Sequence, residues 1–166
     1  MATLSKLSYA PARREGQVYP SGARVTERRY LDLLVDGVAL RELLRAQAEA
    51  NLQGTPGGSE QAIPLAYITS FGWGPVWTQQ DAAARLLTDL PPDLLNGRRS
   101  ILVCPECGDA GCGVVSAVVE REGNVIVWRD FGYENDYDDD SLDMSDFAGL
   151  GRSASLCPTI ALCSRG

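Results

Sequence analysis

Apolar residues arrive first as a short run, Tyr30-Leu31-Asp32-Leu33-Leu34-Val35, closed by Asp36-Gly37. That is the length and punctuation of a strand ending in a turn. From about Val38 to Leu52 the spacing changes. Leu40, Leu43, Leu44 and Ala48 recur at helical intervals, while Arg41, Glu42, Arg45 and Glu49 take the other face. A Gly/Pro/Ser loop at 54–59 separates this helix from Leu65-Ala66-Tyr67-Ile68-Thr69-Ser70, a second strand-length run. Beyond Trp73 and Trp77, Thr78 and Asp81 stand at capping-box spacing, with Asp a weaker substitute for Glu. They open a helix through Ala82, Leu86 and Leu87 that Pro91-Pro92 must end.

The next section alternates differently. Residues 100–103 lead into a cysteine-rich turn, 113–122 read as a strand, Gly123-Asn124 as a turn, and 125–133 as the returning strand. The stretches Val114–Val119 and Val125–Trp128 are largely apolar on both faces, as expected for strands covered by helices on at least one side. The predicted fold class is α+β, an antiparallel β-meander sheet with two helices packed on it. Residues 1–27 are rich in Arg, Gly, Pro and Ser without apolar periodicity and read as a flexible leader. The single domain is expected to span 28–150. Residues 151–166, GRSASLCPTIALCSRG, read as an irregular tail. In GC-rich codons a one-base shift turns this peptide into GPFRFAVPDYRAVLAR, with a strand-like FRF and a Pro-Asp helix start. The expectation is that residues from about Arg152 onward are translated out of the native frame.

Composition sharpens the picture mainly by what it removes. The 166 residues contain no histidine. That excludes Ser-His-Asp and Cys-His catalysis, HExxH zinc chemistry and every mixed Cys/His zinc site. It also removes the easiest general base near neutral pH, which lowers the expectation of an enzyme. A catalyst built from this chain would need carboxylates, thiolates, Lys6 or a borrowed cofactor, and a thiol-based oxidoreductase is the enzyme class expected. No run has the apolar length of a membrane span, and the N-terminus lacks the apolar core of a secretory signal. The reducing cytoplasm is therefore the expected compartment, where cysteines serve as thiols or metal ligands.

Three of the five cysteines fall in one turn, Cys104-Pro105-Glu106-Cys107-Gly108 followed by Cys112-Gly113. Two thiolates two residues apart, with Gly to turn the backbone beneath them, form a zinc or rubredoxin knuckle. Cys104, Cys107 and Cys112 are thus candidate zinc ligands. A structural zinc site takes four ligands, and the candidates for the fourth are Asp109, Cys157, Cys163 or a second subunit. Two other readings stand beside this one: a redox-active dithiol, and a tight β-turn with cysteines packed as small apolar groups.

Charge is distributed unevenly. Residues 1–50 hold eight basic and six acidic side chains, whereas 101–150 hold twelve acidic and two basic. Such a face repels phosphate backbones, which argues against nucleic acid, and suits a basic protein partner or a cation. Its densest part is the loop containing Asp136, Asp138, Asp139, Asp140 and Asp143. The spacing of Asp136, Asp138 and Asp140 is that of a calcium loop, but Ser141 stands where Gly is required and Phe147 where Glu is required. The loop is therefore a candidate partner-binding surface.

The block CPECGDAGCG at 104–113, continuing to WRDFGYEN at 128–135, resembles a family of uncharacterised bacterial proteins sharing C-x-E-C-G-D-x-G-C-G … W-x-D-F-x-Y-E-N. RYLDLLVDGVALRELL, starting one residue after Arg28, is similar to that family's opening. The resemblance covers about residues 28–150; some members are loosely labelled oxidoreductase. Members tend to end in an F-x-F and Tyr-containing segment, from which this tail departs. Two functions are expected. One is a non-catalytic, immunity-like interaction protein presenting Asp136–Asp143 to a basic partner. The other is a zinc-binding or thiol-redox protein using the three-cysteine turn.

Overall fold

The computed structural model describes residues 4–52, 67–71, 76–138, 140–144 and 154–157. Its elements are β1 (Leu4–Arg14), β2 (Gln17–Val18), β3 (Arg24–Val25), β4 (Arg28–Val35), β5 (Val38–Ala39), α1 (Leu40–Leu52), α2 (Val76–Leu86), β6 (Arg99–Val103), β7 (Val114–Glu122), β8 (Val125–Glu134) and β9 (Ala154–Cys157). Seven strands form one sheet in the order β5-β4-β1-β9-β8-β7-β6, while β2 and β3 make a separate hairpin. The α+β class and the β6-β7-β8 meander are as the periodicity predicts.

Three expectations are corrected. Residues 4–14 belong to the sheet: β1 pairs with β4 from Leu7↔Val35 to Arg14↔Arg28. The region read as a flexible leader therefore supplies a central strand. The tail read as irregular contributes β9, which lies antiparallel to β8 and parallel to β1. The sheet is accordingly mixed rather than wholly antiparallel, and the domain extends beyond 28–150 at both ends. The first helix also starts later than Val38, because Asp36 and Gly37 both adopt positive φ (51° and 85°). Two successive positive-φ residues make the tight hairpin turn that sends Val38 back against Val35.

A short segment links the β6 edge of the sheet to β4. Ile68 exchanges both backbone hydrogen bonds with Val103 of β6, at 3.0 and 2.7 Å. Three residues on, the Phe71 carbonyl accepts from Leu31 N of β4 at 3.1 Å, and the Thr69 hydroxyl donates to the Leu31 carbonyl at 2.6 Å. The segment 67–71 thus seams β6 to β4 and gives the sheet a barrel-like closure. Inside lie Leu33, Val35, Ile101, Val115, Ala117, Ile126, Trp128 and Phe131, and α1 adds Leu40, Leu44 and Ala48 to the same core. Against β6, the buried Arg99 guanidinium donates to the carbonyls of Arg85 (2.7 Å) and Leu90 (2.6 Å), capping the end of α2 with positive charge. Among the described residues no helix is long and apolar enough to cross a membrane.

One polar network is buried within the meander. Arg98 and Glu134 are each about 5% exposed, with Nε and Oε2 at 3.0 Å. Arg98 Nε also donates to the Ser116 hydroxyl at 2.8 Å, and Nη2 donates to the carbonyls of Ser116 and Asp130. Glu134 in turn accepts from the Ser116 hydroxyl and from Asn96 Nδ2 at 2.7 Å. Here β7 and β8 slip register between Ser116 and Val118, and Asp130 takes φ 54°. The bulge exposes a buried carbonyl, and Arg98 satisfies it. Removing one partner leaves a buried charge uncompensated. Glu134→Ala is expected to lower unfolding stability by about 3 kcal/mol or more in urea denaturation. A loss under about 1 kcal/mol, the range of exposed pairs, would show that the network does not hold the meander.

Candidate metal centre

The chain leaves β6 at Val103 and enters a turn built by backbone hydrogen bonds. Gly108 N donates to the Cys104 carbonyl at 2.8 Å, and Gly108 takes φ 67°. The Asp109 carboxylate accepts from Gly111 N at 2.7 Å and caps a 3-10 turn, Ala110–Cys112. Gly113 N returns to the Ala110 carbonyl at 2.9 Å before β7 begins. The result gathers the sulfurs of Cys104, Cys107 and Cys112 within 4.8 Å of one another. The Cys107 and Cys112 sulfurs are 3.1 Å apart. All three cysteines are free thiols; Cys104 is half-buried, and Cys107 and Cys112 are exposed.

The sulfurs differ in their electrostatics. Burial works against ionisation of Cys104, but the backbone N–H groups of Cys107 and Glu106 point at its sulfur and hold the thiol below its ordinary value. That is the knuckle arrangement, in which amide donors favour the thiolate. Cys112 is pushed up to about 12, first by its hydrogen bond to the Cys107 sulfur, then by burial and the charge on Cys104. Three thiolates this close repel one another, so without a cation the cluster retains a proton.

Tyrosines wall the turn. Tyr67 Oη donates to the Cys112 carbonyl at 2.5 Å, and Tyr133 Oη reaches the same carbonyl at 3.3 Å. Burial, then Tyr133 and the neighbouring thiols, push the Tyr67 hydroxyl well above its ordinary value, which keeps it a donor. A Cβ at Gly113 would stand 1.9 Å from Tyr133 Oη, and one at Gly111 would stand 2.5 Å from Tyr137 Oη. The two rings therefore lie where only glycine leaves room.

The rest of the frame comes from the N-terminal strands. Glu106 is held by the Arg14 guanidinium and by Thr26 N at 3.3 Å. Arg28 donates from Nε to the Pro105 carbonyl at 2.8 Å and from Nη2 to the Glu106 carbonyl at 3.2 Å. The Arg14 hydrogen bond is the main reason the Glu106 carboxyl lies below its ordinary range. Sequence reasoning missed Arg14, Thr26, Arg28 and the tyrosines. Nothing local marks them; only the Glu of CPEC, a charge without a nearby cation in sequence, hints that a basic partner exists.

The structure thus brings the three turn cysteines together. Among the described residues theirs is the one such gathering of Cys, Asp and Glu ligand atoms. Asp109, a candidate fourth ligand, uses its carboxylate as a cap. Cys157 falls opposite Lys6 in β9; its side chain, like Cys163, lies outside the described residues. The acidic loop folds beside the turn through Tyr137. Asn135 Oδ1 accepts from Tyr137 N (3.0 Å) and Asp138 N (3.1 Å), and Asp138 Oδ1 accepts from Asp140 N at 3.0 Å. Asp136, Asp138, Asp140 and Asp143 are exposed, and Asp143 pairs its backbone with Tyr133. Asp139 lies outside the described residues.

Gly113→Ala should cost about 1–3 kcal/mol, because a positive φ and the Tyr133 ring both oppose a side chain. Urea midpoints together with thiol titration test this. An unchanged midpoint with unchanged thiol reactivity would show that the turn does not depend on that glycine. In comparisons with known proteins, no protein-family model, no curated protein and no solved structure matches this chain.

Proposed function

We propose that this protein binds zinc through Cys104, Cys107 and Cys112, leaving the fourth coordination position open to solvent or to an external ligand. The observation that carries this reading is the gathering of three free sulfurs within 4.8 Å. Zn–S bonds of about 2.3 Å place sulfurs roughly 3.8 Å apart in a tetrahedron, so small side-chain adjustments suffice. Amide donors already favour the Cys104 thiolate, and a divalent cation would favour the thiolate form of Cys112, which the Cys107 sulfur and then burial and the nearby thiols oppose. Exposure of Cys107 and Cys112 makes the ion exchangeable rather than a sealed structural staple.

Reduced, metal-free protein titrated with zinc should take up one ion per chain, and cobalt substitution should produce a thiolate-to-metal charge-transfer band. Cys107→Ser should weaken zinc binding by about a hundredfold or more, beyond the range for outer supports. Arg14→Ala, which frees Glu106 without touching a ligand, should weaken it by about tenfold. Protein that takes up no zinc, with all three thiols intact, overturns the reading.

A second reading concerns the neighbouring loop. Asp136, Asp138 and Asp140 are exposed and, among the described residues, make no ion pair, while Tyr137 beside them is 82% exposed. An aromatic surrounded by unpaired carboxylates suits a basic protein partner. Binding to such a partner that survives Asp136→Asn, Asp138→Asn and Asp140→Asn together would count against this role.

A further inference from the structure

Two of the three sulfurs are the more accessible ones. Cys107 and Cys112 are exposed and 3.1 Å apart, about an ångström longer than a disulfide bond. The loop between them contains Gly108 and Gly111, so little backbone resistance opposes closing that gap. Cys104 sits further in, packed against the hydrophobic core and held by amide donors from Glu106 and Cys107. Hydrogen peroxide is small and neutral, so the exposed Asp109 carboxylate in the turn does not repel it.

We propose that hydrogen peroxide converts Cys107 and Cys112 to a disulfide, and that this bond releases the zinc. In the first step one sulfur, as its thiolate, attacks a peroxide oxygen. The O–O bond breaks, the leaving oxygen takes up protons and departs as water, and a sulfenic acid remains. In the second step the neighbouring sulfur attacks the sulfenic sulfur, the S–S bond forms, and the hydroxyl leaves as a second water. The two thiols lose two electrons and one peroxide gains them. Neither joined sulfur is a thiolate any longer, so Cys104 alone faces the metal. The release depends on the zinc reading; the disulfide depends only on the sulfur geometry.

The test uses the full chain, reduced, in a metal-free and a zinc-loaded arm, each exposed to hydrogen peroxide. Trypsin cuts after Arg99 and Arg121, so one peptide carries all three cysteines. Alkylation and tandem mass spectrometry should show Cys104 free and Cys107 linked to Cys112. In the loaded arm a colorimetric chelator should detect one zinc released per disulfide. Cys104→Ser should still form the bond; Cys112→Ser should not. A disulfide that includes Cys104, sulfinic acid in place of a disulfide, or three intact thiols overturns the proposal. A loaded protein that keeps its zinc through complete disulfide formation overturns the release. Disulfide formation in metal-free protein that takes up no zinc upholds the thiol chemistry and overturns the zinc reading alone.

Discussion

The buried pair between Arg98 and Glu134 is the constraint on which the rest of this structure turns. Two charges removed from water are tolerated only when nearly every donor and acceptor around them is matched. Here the match requires the Ser116 hydroxyl and carbonyl, the Asp130 carbonyl and Asn96, drawn from β7, β8 and the loop before β6. An apolar cluster would accept several registers of β7 on β8; this network accepts one. It also fixes the base of the cysteine turn, since Glu134 lies opposite Val114, the first residue after that turn.

Above that base the turn is shaped by contacts from every side. Tyr67 and Tyr133 hold the carbonyl of Cys112, while Arg14 and Arg28 hold Pro105 and Glu106 from the N-terminal strands. The sulfurs therefore owe their proximity to residues far away in sequence. A cysteine-rich turn with this spacing could fold as a bland β-connection elsewhere. What gathers the three sulfurs here is the frame beneath them.

That dependence explains what the sequence discloses and what it conceals. The helices and the meander are legible because their signals are local: leucines at helical spacing in α1, paired valines in β7, Gly123-Asn124 between β7 and β8. The three cysteines are legible for the same reason. β1 is not, because LSKLSYAPARR carries arginines and a proline and lacks clean alternation. The proline is nevertheless compatible with its place. Pro11 faces Leu31 in a pair whose amide hydrogens point outward, since Leu31 N donates to Phe71, and β9 reaches β1 only at Leu4–Lys6. Among the described residues no neighbour asks Pro11 for the hydrogen it lacks. β9 is concealed more completely, because four residues without periodicity become a strand only through the slot between β1 and β8.

The seam at 67–71 bears on how the molecule behaves among its own copies. Edge strands with unpaired amides template the addition of further strands, and β6, with Ile101, Leu102 and Val103 all buried, would be a sticky edge. Ile68 occupies that edge, and Thr69 and Phe71 occupy the matching edge of β4. The seam therefore acts as a guard against intermolecular sheet growth. Tyr67, the first described residue of that guard, is also the residue tied to the carbonyl of Cys112. One hydroxyl thus ties the covered sheet edge to the cysteine turn.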